Sequence, residues 1–159
     1  MTCFAKFTDG AELRFMLRKH LAAVSRVDAE SFCDPWGRQQ FEKVLTSETD
    51  VGIVAIVDGL VVGFCVYEVL GLSVRIHSLA VLPGFRRRGI GSRLLAGIKK
   101  RNGNTFQRVI SACVYERNNA AIGFFRANQF RAVEVVRGAF GIAGENDGYD
   151  FRFQRDDAN

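Results

Sequence analysis

The stretch Leu79-Ala80-Val81-Leu82-Pro83-Gly84-Phe85-Arg86-Arg87-Arg88-Gly89-Ile90-Gly91-Ser92 decides how this chain is read. An apolar β-rich run ends in it, a short loop turns at Pro83-Gly84, and two glycines open a helical pattern. Glycines at a helix start let the backbone pass close to a ligand and leave N–H groups unpaired. Those groups and the helix dipole suit an anion such as phosphate. Arg86, Arg87 and Arg88 add positive charge beside them. The stretch is not a Walker A loop, because no Gly-Lys-Ser/Thr follows, and it lacks the Rossmann G-x-G-x-x-G spacing.

Upstream, residues 74–81 read as the strand that enters this loop. Residues 51–57 and 60–69 read as two antiparallel strands around Asp58-Gly59, a strong two-residue hairpin signal. Further back, Asp34-Pro35 reads as an N-cap with proline at N1, opening a short helix with Phe41, Val44 and Leu45 on one face. Thr8 or Asp9 is placed to cap a first helix with Leu13, Leu17, Leu21 and Val24 as its stripe. Downstream, residues 89–101 predict a helix with Ile90, Leu94, Leu95 and Ile98 on one side. Lys99, Lys100 and Arg101 sit in its last turn, and Gly103 is a stop. Residues 109–114 predict a strand, 118–128 a helix, and 132–136 and 148–153 the last strands. This order is a mixed α/β sheet flanked by helices.

The 159 residues are enough for one domain, which the reading extends over residues 1–159. With 48% hydrophobic and 25% charged residues and two prolines, the composition argues against disorder. No run of 18 apolar residues appears, which argues against a spanning helix. MTCFAKFTDG has no apolar signal core, so a cytoplasmic location is expected. The net charge is +5, and its distribution says more than its size. Between positions 69 and 115 there are nine basic residues and no acidic one, while the remainder holds 13 basic and 17 acidic residues. Such a basic third marks either an anionic partner or a merely solvated face. Cys3, Cys33, Cys65 and Cys113 form no C-x-x-C pair, and His20 and His77 stand apart, so no zinc spacing or metal site is expected. Cys65 and Cys113 lie in apolar runs and read as small buried core residues.

The Arg86-x-x-Gly89-x-Gly91 element after Leu79-Ala80-Val81 resembles the acetyl-coenzyme A signature of the GNAT superfamily of N-acetyltransferases. Arg117-Asn118-Asn119-Ala120-Ala121, followed by Phe124-Phe125 and Gln129-Phe130, resembles that family's S-N-x-x-A…L-Y-x-K-x-G-F segment. Ser31-Phe32-Cys33-Asp34-Pro35-Trp36 resembles the S-F-x-x-P-W element of the ribosomal-protein alanine N-acetyltransferase branch. The resemblance covers about residues 29–153. It implies a mostly antiparallel central sheet flanked by helices, with a splayed strand pair at the cofactor site. It further implies acetyl-coenzyme A as cosubstrate, its pyrophosphate against the backbone of Arg86, Arg87, Arg88, Gly89, Ile90, Gly91 and Ser92. Pantetheine would pair with Leu79, Ala80 and Val81, an N–H near Val81 would face the thioester oxygen, and Asn118 would contact the cofactor. From its position alone Asn118 could equally be a helix N-cap.

The implied reaction is attack of a neutral amine on the acetyl thioester. It requires a base for the ammonium proton and an acid for the departing thiolate. Here the chain departs from the pattern. Cys113 stands where related enzymes carry Glu or His, and Phe125 where they carry an acid tyrosine. Phe125 has no proton to donate. His77, read in strand phase with Leu79 and Val81, is the candidate base. Tyr115, in phase with Cys113, is the candidate acid. Glu68 and Glu116 are further carboxylates near strand ends, read as solvated. Phe32, Trp36 and Phe41 read as a core cluster under the early helices. The resemblance makes residues 26–38 one wall of the acceptor groove and residues 138–148 the other, where Glu145 and Asp147 could attract an amine.

The expected activity is acetyl transfer to a protein N-terminal α-amine or a small amine, by a monomer or homodimer without a nucleic-acid or membrane partner. Two other readings stand beside it. The substitutions at Cys113 and Phe125 suit a degenerate coenzyme A-binding sensor, and the basic third suits a nucleic-acid-binding module. The second lacks both a stacking strand and a named nucleic-acid motif.

Overall fold

The computed structural model describes residues 10–101, 109–141 and 145–155. Seven strands form one sheet in the order β1-β2-β3-β4-β5-β7-β6. They are β1 Ala11–Phe15, β2 Asp50–Val57, β3 Leu60–Leu70, β4 Ser73–Val81, β5 Val109–Tyr115, β6 Arg131–Val136 and β7 Gly148–Gln154. Only β4 and β5 pair in parallel; every other neighbour is antiparallel. This is the mixed, mostly antiparallel sheet that the sequence implied. Asp58 and Gly59 both take positive φ, the left-handed pair that a tight hairpin requires.

Among the described residues, four α-helices cover the two faces: α1 Leu21–Ser31, α2 Arg38–Thr46, α3 Ile90–Arg101 and α4 Asn119–Ala127. Phe41 of α2 packs edge-on against Phe64 of β3, which places α1 and α2 on the face of Phe64. On the opposite face, Gly97 of α3 lies against Leu13, and Lys99 sits 3.9 Å over the Phe153 ring. Phe125 of α4 closes that layer against Phe130 and Phe151. Fully burying a side chain of this size contributes roughly 1.5–3 kcal/mol.

Several sequence expectations are corrected by this packing. The first helix begins at Leu21, not near residue 9; Leu13 belongs to β1, where its side chain is buried between sheet and α3. Leucines four residues apart satisfy either period in so short a window, and pairing with β2 selects the strand. Thr8 and Asp9 lie outside the described residues. Asp34-Pro35 does not open α2, whose N-cap is Gly37. Phe41 is core, but Phe32 is exposed and Trp36 half-buried. Cys65 is buried as expected, whereas Cys113 is exposed. Gly103 lies outside the described residues. No described helix is long and apolar enough to cross a membrane.

Candidate active site

The parallel ladder between β4 and β5 runs only from Ser73↔Val109 to Ile76↔Ala112. β4 continues to Val81 and β5 to Tyr115, so the two strands part beyond Ile76. A register shift against β3, where Tyr67 pairs with Ile76 and Val66 with Ser78, leaves His77 as an extra residue. Such a bulge bends its strand and re-aims a side chain. Leu79, Ala80 and Val81 therefore run along the opened edge of β4, directly into the glycine-bearing loop.

In that loop the two glycines serve different ends. Gly89 has φ +79°, and a Cβ added there would meet nothing within 4 Å, so the backbone is left-handed and the space above it open. Gly91 is a packing glycine: a Cβ there would lie 2.9 Å from Phe124. Arg87 also takes positive φ, at 60°. Two left-handed residues within three positions curl the backbone into the kind of loop that gathers N–H groups around an anion.

The three arginines divide. Arg86 donates from Nε to the Val81 carbonyl at 2.8 Å and reaches Ser31 Oγ at 3.4 Å. It ties the loop to the end of β4 and to the end of α1. Arg88 lies over the Phe85 ring, and both Arg87 and Arg88 are exposed. Lys99 donates to the Asn128 carbonyl at 2.7 Å, and Arg101 stacks on Phe15 at 4.0 Å. Part of the basic third is thus structural. Ser92 accepts from the Asn128 amide, joining α3 to the end of α4. Asn118 is the N-cap of α4, its Oδ1 accepting from Ala121 N at 3.1 Å.

His77 does not share the phase of Leu79 and Val81, because the bulge interrupts the alternation. Its Nε2 lies 3.0 Å from Glu68 Oε2 and 3.9 Å from Asp50 Oδ1. Asp50 pairs directly with Glu68 in the β2–β3 register, so β2, β3 and β4 each contribute one member of the cluster. Glu68 is a partner of His77 rather than a solvated carboxylate. The cluster lies on the Phe64 face, since Phe64, Val66 and Glu68 alternate along β3.

Cys113 stands on β5 opposite Asp150, and burial with the Asp150 charge raises its thiol pKa, while Arg75 opposes the rise. That thiol is a poor base at neutral pH. Phe125 is buried among Phe124, Phe130 and Phe151, so it faces the core and not the cleft. Tyr115 donates its hydroxyl to Asn146 Oδ1 at 3.3 Å and packs against Phe140, which anchors the connection between β6 and β7. No hydrogen bond joins His77 to Tyr115 among the described residues. Asp147 is buried and accepts from Gly138 N at 2.7 Å and from Arg137 at 3.3 Å. It braces the connection instead of being presented to an amine.

The sequence gives no sign of Asp50: its contact with His77 depends on sheet register, which leaves no spacing signal.

The sequence model of the acetyltransferase (GNAT) family matches residues 21–130. The chain belongs to that family. It is 27% identical over 153 residues to the N-alpha-acetyltransferase RimI of Mycobacterium tuberculosis, covering 91% of this chain and 93% of the relative. It is 30% identical over 110 residues to an uncharacterized N-acetyltransferase of Methanocaldococcus jannaschii, covering 65% of this chain but only 49% of that protein. The fold is similar to that of the ribosomal-protein-S18-alanine N-acetyltransferase of Escherichia coli, with TM-score 0.83, 18% identity, and coverage of 94% of this chain and 96% of the other. Solved structures of similar fold include complexes with acetyl-coenzyme A and with coenzyme A.

Proposed function

We propose that this protein transfers an acetyl group from acetyl-coenzyme A to a primary amine, a protein N-terminal α-amine or a small amine. The carrying observation is the parting of β4 from β5 beyond Ile76, immediately before a left-handed, open glycine loop at the start of α3. Family membership and the likeness to N-alpha-acetyltransferases support the same reading. The residues fit the cosubstrate: the space above Gly89 is open, Arg87 and Arg88 are exposed beside it, and β4 offers strand-edge backbone at Leu79, Ala80 and Val81.

Acetyl-coenzyme A supplies an activated thioester. The N–H groups from Arg86 to Ser92 bind its pyrophosphate, and Arg87 and Arg88 add positive potential. Arg86 acts through the loop backbone, because its guanidinium is occupied by Val81 and Ser31. The Asn118 amide nitrogen remains available to the cosubstrate while its oxygen caps α4. The backbone N–H near Val81 faces the developing oxyanion of the tetrahedral intermediate. His77 accepts the proton of the attacking ammonium, directly or through water. With its ring proton on Nε2 and shared with Glu68, the Nδ1 lone pair is the base, and Glu68 steadies the resulting imidazolium. Tyr115 or solvent returns a proton to the thiolate.

Thiol release with an alanine-initiated decapeptide tests this. His77→Ala is expected to lower kcat by ~10²-fold with an unchanged melting temperature. Unchanged kcat in that variant would remove His77 from the mechanism. A second reading, a coenzyme A-binding protein without transferase activity, is favoured by one observation: the raised Cys113 thiol is a poor base and the buried Phe125 has no proton to donate. Coenzyme A binding with no acetylation of peptides or amines would select it.

A further inference from the structure

We propose that Asp28 is a positioning residue for the acceptor: its buried carboxyl holds the 32–37 connection between α1 and α2 in the shape that binds the amine substrate. The acceptor part rests on the function proposed above; the tie itself does not.

Asp28 lies in the last turn of α1 with its side chain fully buried. Its backbone carbonyl takes the Phe32 N–H at 3.0 Å, where the helix ends. Its Oδ2 takes the Gly37 N–H at 3.3 Å, nine residues away, and the Trp36 N–H faces the same carboxyl. One residue therefore grips the connection at both ends. The grip is needed because of what stands at Gly37. This N-cap of α2 has φ +76° and no side chain, and the first turn of α2 holds no acidic residue. The exposed amides of a helix start need an acceptor, and the dipole there favours negative charge. Asp28 supplies both from the neighbouring helix.

Its burial is unfavourable in itself. Oδ1 has no hydrogen-bond partner among the described residues, and burial raises the carboxyl pKa. An apolar residue would fill the position without that cost, so the carboxyl serves the geometry of the connection. The consequence reaches the site through Ser31. The connection begins beside Ser31 Oγ, which Arg86 contacts at 3.4 Å while holding the Val81 carbonyl. Held from beneath by Asp28, residues 32–35 turn their side chains outward, with Phe32 and Cys33 exposed. They stand on the Phe64 face, which also carries His77 and Glu68.

Trp36 is the single tryptophan of the chain, so its emission reads the connection directly. Asp28→Ala and Asp28→Asn are compared in the full chain, with folding followed by circular dichroism. Asp28→Ala is expected to red-shift Trp36 emission and to increase its quenching by acrylamide. It should raise KM for the alanine-initiated decapeptide about tenfold, as expected for losing a buried hydrogen bond to a charged group. KM for acetyl-coenzyme A and kcat should stay within about twofold, inside the context-dependence of such effects. Asp28→Asn keeps an oxygen for Gly37 N–H and loses only the charge, so it should fall closer to wild type than Asp28→Ala does. If the alanine variant does not fold, Asp28→Ser, whose hydroxyl turns to its own helix, replaces it. Unchanged Trp36 emission in a folded variant overturns the tie. Rises in KM for both substrates, or a fall in kcat alone, overturn the acceptor role. If the wild type acetylates no peptide, the proposed function and the acceptor role fall together, while the emission still decides the tie.

Discussion

His20 shows how one side chain sets a pH response. It is buried at the start of α1, and its Nδ1 accepts the Leu17 N–H at 3.0 Å, a bond available only to the neutral ring. Burial, with Lys19 and Arg14 nearby, lowers its pKa. A folded pKa below the unfolded value, about 6.5, contributes stability that is complete above that pH and is lost as pH falls through the folded value. Urea midpoints measured between pH 7.5 and pH 5 are expected to decline in the wild type. They should decline less in His20→Asn, which keeps an acceptor for Leu17 without titrating; parallel declines would exclude His20 as a source. Phe125 carries a second expectation at this scale. Its ring is enclosed by three other phenylalanines, so Phe125→Tyr buries a hydroxyl with no partner in view. The variant should lose ~1–3 kcal/mol of stability, with turnover per folded molecule unchanged. A gain in turnover would return the position to the cleft.

At the scale of elements, the start of α3 is where the proposed cosubstrate site lies, and its residues are not equivalent. Gly89 is left-handed with open space above it, so Gly89→Val strains the backbone and fills the space an anion would occupy. Arg87→Ala removes one exposed charge. Calorimetry with coenzyme A should show Gly89→Val weakening binding far more than Arg87→Ala, both folded by circular dichroism. The reverse ranking would make side-chain charge the main determinant. The sequence announced this element well, because strand, turn, glycines and helix lie within one contiguous stretch, and each acts on its immediate neighbours. It announced the first helix poorly. The leucine spacing around Leu13 and Leu17 fits either period, and pairing of Ala11–Phe15 with β2 is a contact some forty residues distant. The orientation of His77 is hidden for a related reason: strict alternation holds only until a bulge, and this bulge appears only when β4 is laid against β3.

For the whole molecule, binding should stabilise the fold by mass action. Acetyl-coenzyme A at a hundredfold excess over its Kd is expected to add about 2.7 kcal/mol. The melting temperature should climb with ligand concentration; no thermal shift and no calorimetric heat at millimolar ligand would reject the cofactor site. On the proposed function, the basic third would draw an anion toward the loop with Arg87 and Arg88, since Arg86, Lys99 and Arg101 are already held by protein groups. By itself the sequence determined the α/β class, the Asp58-Gly59 hairpin, the glycine loop before α3 and the family resemblance. These are properties of neighbouring residues, and local sterics and hydrogen-bonding capacity express them without reference to the rest of the chain. Only the tertiary structure decided that Asp50, Glu68 and His77 meet, that Phe125 turns inward while Cys113 turns outward, and that Asp28 reaches Gly37. Those outcomes follow from strand register and from competition for the core, sums over distant contacts that no local spacing encodes.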